Sequence, residues 1–195
     1  VQLFVCDNTG ATSSGCNGTQ YCSSTAETSN PSCIYSYPGV VEDGNYTVHG
    51  HIFDSHGLEA ASGQSGTYTV NNVAPVVSNV VVNGGSDMTL TESTTTDFDV
   101  TGTVTDNNSC QDLDTVTTSL YRESIGYVAC DSNPEDDNNN CYAIVACSVV
   151  GSGNTCDSAT DASADYVCTV SVEYHADPTD TDYSGYLAVN EEWFG

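Results

Sequence analysis

The sequence predicts an all-β protein: β-sandwich modules in tandem, stapled by disulfides, with both modules incomplete in this chain. Three observations predict it. Helical periodicity is nearly absent, and short alternating runs rich in Val, Thr and Tyr take its place. Clusters of Gly, Asn, Asp and Ser separate those runs, as turns separate strands. A cysteine layout in the first part of the chain recurs in the second, which marks an internal repeat.

In chain order, Val1 to Cys6 reads as the first strand and Cys33 to Tyr37 as the next. Tyr46 to Asp54 alternates with Tyr46, Val48, Gly50 and Ile52 on one face. Gly66 to Asn71 follows, then the short stiff junction Asn72-Val73-Ala74-Pro75. Val76 to Val82, Thr96 to Thr105, Thr115 to Arg122 and Val167 to Tyr174 supply the strands after it. The expected modules are residues 1–73 and 74–195.

Cys6, Cys16, Cys22 and Cys33 form the first set, and Cys130, Cys141, Cys147 and Cys168 repeat it. In both sets five residues separate the middle pair, and nine or ten precede it. Cys33-Ile-Tyr-Ser-Tyr and Cys168-Thr-Val-Ser-Val-Glu-Tyr then run on as similar strands. Ten cysteines, even in number in each half, point to disulfides and an oxidising, extracellular setting. There is no Cys-x-x-Cys pair, which argues against a zinc ribbon. Spacing alone leaves the connectivity open. The arrangement we expect is Cys6–Cys33 and Cys16–Cys22 in the first module. The matching one in the second is Cys130–Cys168 and Cys141–Cys147, with Cys110–Cys156 as an extra bridge.

The formal charge is −26, from 27 acidic residues and a single basic one, Arg122. With no basic patch to neutralise phosphates, nucleic-acid binding is excluded, and so is adhesion to an anionic membrane. Such uncompensated charge repels itself at low salt, so cations must relieve it: bound calcium or a salty medium. A halophilic source also accounts for the missing lysines. No stretch has the length and apolarity of a transmembrane helix, so no membrane insertion is expected from this segment. No signal peptide is present at Val1, so the chain reads as a mature product or an excised segment.

Asp43-Gly44-Asn45-Tyr46 resembles the tyrosine corner that opens strand F of immunoglobulin-like sandwiches. On that reading strand F is Tyr46 to Asp54 and strand G is Thr67 to Asn71. Aligning the halves sets Val41–Thr47 over Val189–Gly195, with Trp193 in the place of Tyr46. The first module then begins inside strand C and runs to G. The second runs from A to E and lacks F and G. Either the chain is a window on a longer polypeptide, or neighbouring subunits supply the missing strands.

Further strings carry a resemblance. Val104-Thr-Asp-Asn-Asn-Ser-Cys-Gln-Asp-Leu113, Ser119-Leu-Tyr-Arg122, Cys141-Tyr142 and Tyr174-His-Ala-Asp-Pro-Thr-Asp180 are similar to immunoglobulin-like repeats of large secreted surface proteins of uncultured bacteria and archaea. Leu3-Phe-Val-Cys6, Asn30-Pro-Ser-Cys33 and Tyr68-Thr-Val-Asn-Asn-Val-Ala-Pro75 carry it in the first module. The resemblance implies a cell-surface, adhesion or S-layer-like setting and little chemistry.

Calcium is the expected ligand, because hard cations take clustered carboxylate and amide oxygens on loops. Asp106, Asn107, Asp112 and Asp114 lie in one loop, and Asp177, Asp180 and Asp182 in another. A third cluster is Asp131, Glu135, Asp136 and Asp137. None matches an EF-hand. His49 and His51, with His56 and Asp54 near, admit a zinc reading beside the plainer one of an outward stripe shared with Thr47 and Phe53. Asn17, Asn45 and Asn107 head Asn-x-Ser/Thr glycosylation triplets.

No Gly-x-Ser-x-Gly elbow, phosphate-binding loop or His-Glu-x-x-His motif is present, and the acidic residues sit in polar loops. The function expected is therefore structural and non-enzymatic: a segment of an extracellular filament, stalk or sheath. Its partners are copies of itself or adjacent modules. The alternative is an adhesin module that binds a glycan or host protein, served by exposed Tyr21, Tyr35, Tyr37, Tyr127 and Tyr183.

Overall fold

The computed structural model describes residues 1–27, 29–37, 39–61, 63–125, 130, 139–151, 154–176 and 183–191, the last stretch by its backbone. The chain is all-β and carries five disulfides. It divides into two compact units. The first holds Val1–Gly39 and Asp43–Asn72, and the second Val40–Glu42 and Val73–Gly195. The division falls in the Asn72–Pro75 junction. Residues 40–42, expected in the first module, go with the second, where the Asn108 side-chain amide donates to the Val41 carbonyl at 3.2 Å. The same side chain accepts from the Val73 amide at 2.7 Å.

In the first unit β1 (Gln2–Cys6) is followed by the short pair β2 (Ala11–Thr12) and β3 (Gly15–Cys16), then β4 (Gln20–Ser23), β5 (Gly44–Phe53) and β6 (Gln64–Val70). One antiparallel sheet runs β4-β1-β5-β6. Directly opposed residues share a face, so the pairing sorts the side chains. Phe4 lies opposite His51, Cys6 opposite His49 and Gln2 opposite Phe53. Phe4, Cys6 and Phe53 form a buried cluster under Ala11 and Cys16. His51 and Phe53 thus face inward, whereas the sequence reading set them on an outward stripe. The polar β2–β3 hairpin folds over that face, and local alternation carries no sign of it.

The other face carries Leu3, Val5, Cys22, Val48, Ile52, Tyr46, Tyr68 and Val70, and among the described residues no second sheet of this unit covers it. Residues Cys33–Tyr37, expected as a strand, make no ladder pairing.

The second unit contains β7 (Val76–Val82), β8 (Thr95–Thr105), β9 (Leu113–Arg122), β10 (Cys141–Ala146), β11 (Ser148–Val149), β12 (Ser163–Glu173) and β13 (Tyr183–Glu191). They form two sheets, β11-β12-β8-β7 and β10-β9-β13. Val104, Ala164, Tyr166 and Cys168 from the first pack on Val116 from the second. Phe98, Val100, Val170 and Val172 likewise pack on Leu120 and Tyr142. The alternation of β8 and β12 is therefore that of strands with one face in a shared core. The strand β13 corrects the expected end of this module at its fifth strand. It pairs with β9 from Tyr183 opposite Arg122 to Glu191 opposite Leu113. Anchoring the alignment on Val41 and Val189 placed the corresponding strand too late, at Trp193, which lies outside the described residues. Among the described residues no helix is long and apolar enough to cross a membrane.

Candidate functional site

The disulfides order the surroundings of every candidate residue. The bonds are Cys6–Cys16, Cys22–Cys33, Cys110–Cys156, Cys130–Cys141 and Cys147–Cys168. Four of the expected pairings are therefore corrected: Cys6–Cys33, Cys16–Cys22, Cys130–Cys168 and Cys141–Cys147. Strand geometry gives the reason. Cys16 packs on the Phe4 face of the first sheet, whereas Cys22 lies opposite Val5 on the other. Side chains on opposite faces cannot meet. Cys141 opens β10 and Cys147 follows its end. Six residues of extended chain separate their backbones by about 20 Å, far beyond the roughly 7 Å a bridge allows.

The two units share a plan. A central strand (β1 or β9) is flanked by the next long strand (β4 or β10) and by a later one (β5 or β13). A bridge then runs from the first flanking strand, or the residue after it, to the start of a Cys-x-x-Ser-x run: Cys22 to Cys33, and Cys147 to Cys168. By this correspondence Tyr35 and Tyr37 occupy the places of Val170 and Val172. The valines are each 1% exposed, but Tyr35 is 38% and Tyr37 40% exposed. In the second unit β8 pairs along β12, setting Phe98 opposite Val170 and Thr96 opposite Val172. Among the described residues of the first unit no strand fills that role, and 33–37 lacks a ladder for that reason.

Five tyrosines line this uncovered face in an unbroken row. Ring centroids lie 5.1 Å apart for Tyr21 and Tyr35, 4.8 Å for Tyr35 and Tyr37, 5.9 Å for Tyr37 and Tyr68, and 5.2 Å for Tyr68 and Tyr46. The Tyr46–Tyr68 pair is stacked at 13°, and the others are tilted or edge-on. Tyr46, assigned from sequence to a corner, is thus a member of the row. Burial first, then the neighbouring Tyr21 and Tyr35 phenols, push the Tyr68 hydroxyl pKa above its ordinary 10.0. Of the five, Tyr21, Tyr35 and Tyr37 were singled out from sequence. Tyr46 and Tyr68 join them because they face one another across β5 and β6. Tyr127 lies outside the described residues, and Tyr183 belongs to β13.

The expected calcium loops are only partly described. Asp177, Asp180 and Asp182, and also Asp131, Glu135, Asp136 and Asp137, lie outside the described residues. In the remaining loop Asp106 is fully buried, Asp112 half-buried, and Asn107 and Asp114 exposed. Asp106 Oδ1 accepts from the Asn108 amide at 2.6 Å and the Ser109 amide at 3.4 Å. Its Oδ2 is buried without a hydrogen-bond partner. Among the described residues no three His, Cys, Asp or Glu side chains converge as a metal-binding group.

The zinc reading of His49 and His51 is overturned. His51 is 3% exposed, with Nδ1 hydrogen-bonded to Glu59 Oε1 at 2.6 Å and Nε2 3.3 Å from the Asn8 carbonyl. Both ring nitrogens are engaged by protein. His56 is exposed beside Asp54, whose carboxylate accepts from the Leu58 and His56 amides. Those bonds hold the Asp54 pKa below its ordinary value. Asn17, Asn45 and Asn107 are all exposed. Asn45 Oδ1 accepts from the Thr69 hydroxyl at 2.7 Å.

Searches against protein-family models, curated proteins and solved structures find no match to this chain.

Proposed function

We propose that this chain is a structural, non-enzymatic segment of an extracellular assembly (filament, stalk or sheath) built from tandem immunoglobulin-like modules. The observation that supports the reading is the repeated plan: a three-strand order common to the two units, β4-β1-β5 and β10-β9-β13, with one pair of corresponding bridges. The sheet order β11-β12-β8-β7 matches strands D, E, B and A of an immunoglobulin-like sandwich, and β10-β9-β13 matches C′, C and F. Five disulfides support an oxidising, extracellular location. Adjacent modules or further copies of the chain are its partners, and Asn17, Asn45 and Asn107 its glycan positions. Negative-stain electron microscopy of the native material tests this. Regular filaments or sheets with a module-sized repeat are expected, and dispersed single particles under all salt conditions would refute it.

Calcium enters this proposal through Asp106. A buried carboxylate with one oxygen unsatisfied gains from a hard cation completed by loop oxygens. The second reading, an adhesin module, is favoured by one observation, the exposed tyrosine row. Flat aromatic rings suit sugar rings or a protein anchor. Binding of a neutral glycan that is lost on substituting Tyr35 and Tyr37 would select it.

A further inference from the structure

We propose that the tyrosine-lined face of the first unit is an acceptor for a β-strand supplied from outside that unit. The strand is of the β8 kind: apolar side chains alternate with Ser, Thr or Asp, and it pairs antiparallel along Cys33–Tyr37. The inference stands on the geometry of the two units and holds for a structural subunit and an adhesin alike.

The second unit shows what covers such a face. There β8 runs the length of β12, with Val100 opposite Cys168, Phe98 opposite Val170 and Thr96 opposite Val172. The intervening residues point outward and are joined by side-chain hydrogen bonds. Thr169 donates to Asp99 at 2.9 Å, and the Ser171 hydroxyl donates to Asp97. Transferred to the first unit, this register sets an aliphatic residue over the Cys22–Cys33 bridge. It sets an aromatic residue against Tyr35 and a small one against Tyr37. Ser36 stands where Ser171 does and keeps a hydroxyl for an incoming carboxylate or hydroxyl. Ile34 stands where Thr169 does and is 92% exposed, so the donor carries an apolar residue there in place of Asp99.

The rest of the face fits the same occupant. Leu3, Val5, Val48, Ile52, Tyr46, Tyr68 and Val70 carry no charge in a chain of net −26. Ile52 stays 36% exposed on it. A surface so apolar, beside a segment without ladder partners, offers both halves of a β-augmentation site: backbone N–H and C=O groups outside any ladder, and pockets for alternate side chains.

The test uses the full chain and a synthetic peptide of the Thr95–Thr105 sequence carrying Asp99→Val, in about 1 M NaCl to screen like charge. Hydrogen–deuterium exchange is followed with and without peptide. At saturation the amides of Cys33–Tyr37 are expected to slow about tenfold or more, with β8 and β12 unchanged. Tyr35→Asp is expected to abolish that protection while leaving exchange in β5 as it was. A peptide with proline at the Phe98 position is expected to give none. Absence of protection with the matched peptide overturns the proposal. So does protection of Cys33–Tyr37 that rises with chain concentration and no peptide, which would make a second copy's sheet face the occupant. Filaments in the microscope with no peptide protection would refute the strand acceptor and leave the structural reading standing.

Discussion

Val170 and Tyr35 occupy corresponding places in the two units, and truncating each to alanine separates a filled core from an open face. Val170 is 1% exposed and packs among Phe98, Val100, Leu120, Tyr142 and Val172. Removing its two methyl groups forfeits about 0.8 kcal/mol each in transfer free energy, and the cavity left behind brings the cost to about 2–3 kcal/mol. With a urea m-value near 2 kcal/mol/M, the unfolding midpoint of that unit falls by about 1–1.5 M. Tyr35 loses a far larger side chain, yet it is 38% exposed and its segment has no ladder partner. Its loss costs about 1 kcal/mol or less in the first unit, mostly ring contacts with Tyr21 and Tyr37. Urea titration read by amide exchange in β5 and in β12 reports the two units separately. A cost at Tyr35 equal to or above that at Val170 would refute the claim that the tyrosine face is uncovered.

Three further outcomes follow from the same geometry. Burial pushes the Tyr166 hydroxyl up, as burial and neighbouring phenols do Tyr68, so the folded chain favours both neutral phenols. That contribution is present below the ordinary tyrosine pKa of 10.0 and is lost as pH rises through the higher folded values. Absorbance at 295 nm should show two tyrosines titrating late, with alkaline unfolding close behind, and uniform titration near pH 10 would count against it. Asp106→Ala removes the acceptor of two buried amides and should cost about 2–3 kcal/mol. If Oδ2 also holds calcium, chelation lowers the wild-type melting temperature and leaves the variant's unchanged; no effect on the wild type refutes the calcium site. Opening Cys110–Cys156, which closes a separation of 46, should cost about 4 kcal/mol. Opening Cys22–Cys33, with a separation of 11, should cost about 3. Equal or inverted losses in denaturant titrations would contradict the loop-entropy account.

The β content was legible because its cause is local. Runs such as Thr95–Thr105 and Ser163–Glu173 alternate over their whole length, and each has one face in a core. What the sequence hid depends on which face a residue occupies once a distant segment folds over it. His51 and Phe53 alternate like a surface stripe, yet the β2–β3 hairpin buries them. Cys16 and Cys22 are near neighbours in the chain, but the sheet passes between them. Cys33–Tyr37 has a strand's composition, but a strand needs a partner, and the described residues of the first unit offer none. The tyrosine row draws on β4, β5, β6 and the 33–37 segment, so no window of sequence contains it. Asp106 was named as a ligand for its charge, while its buried hydrogen bonds to Asn108 and Ser109 show that it also ties the loop.

The repeated plan rests on corresponding bridges, and mapping the disulfides of the native chain tests it most directly. With a single arginine and no lysine, the chain calls for cleavage at acidic residues under non-reducing conditions, followed by mass spectrometry. The account predicts Cys6–Cys16 with Cys22–Cys33, and Cys130–Cys141 with Cys147–Cys168, beside Cys110–Cys156. A nested pattern, Cys6–Cys33 around Cys16–Cys22, would contradict it. The tyrosine face would then no longer correspond to the covered core of the second unit.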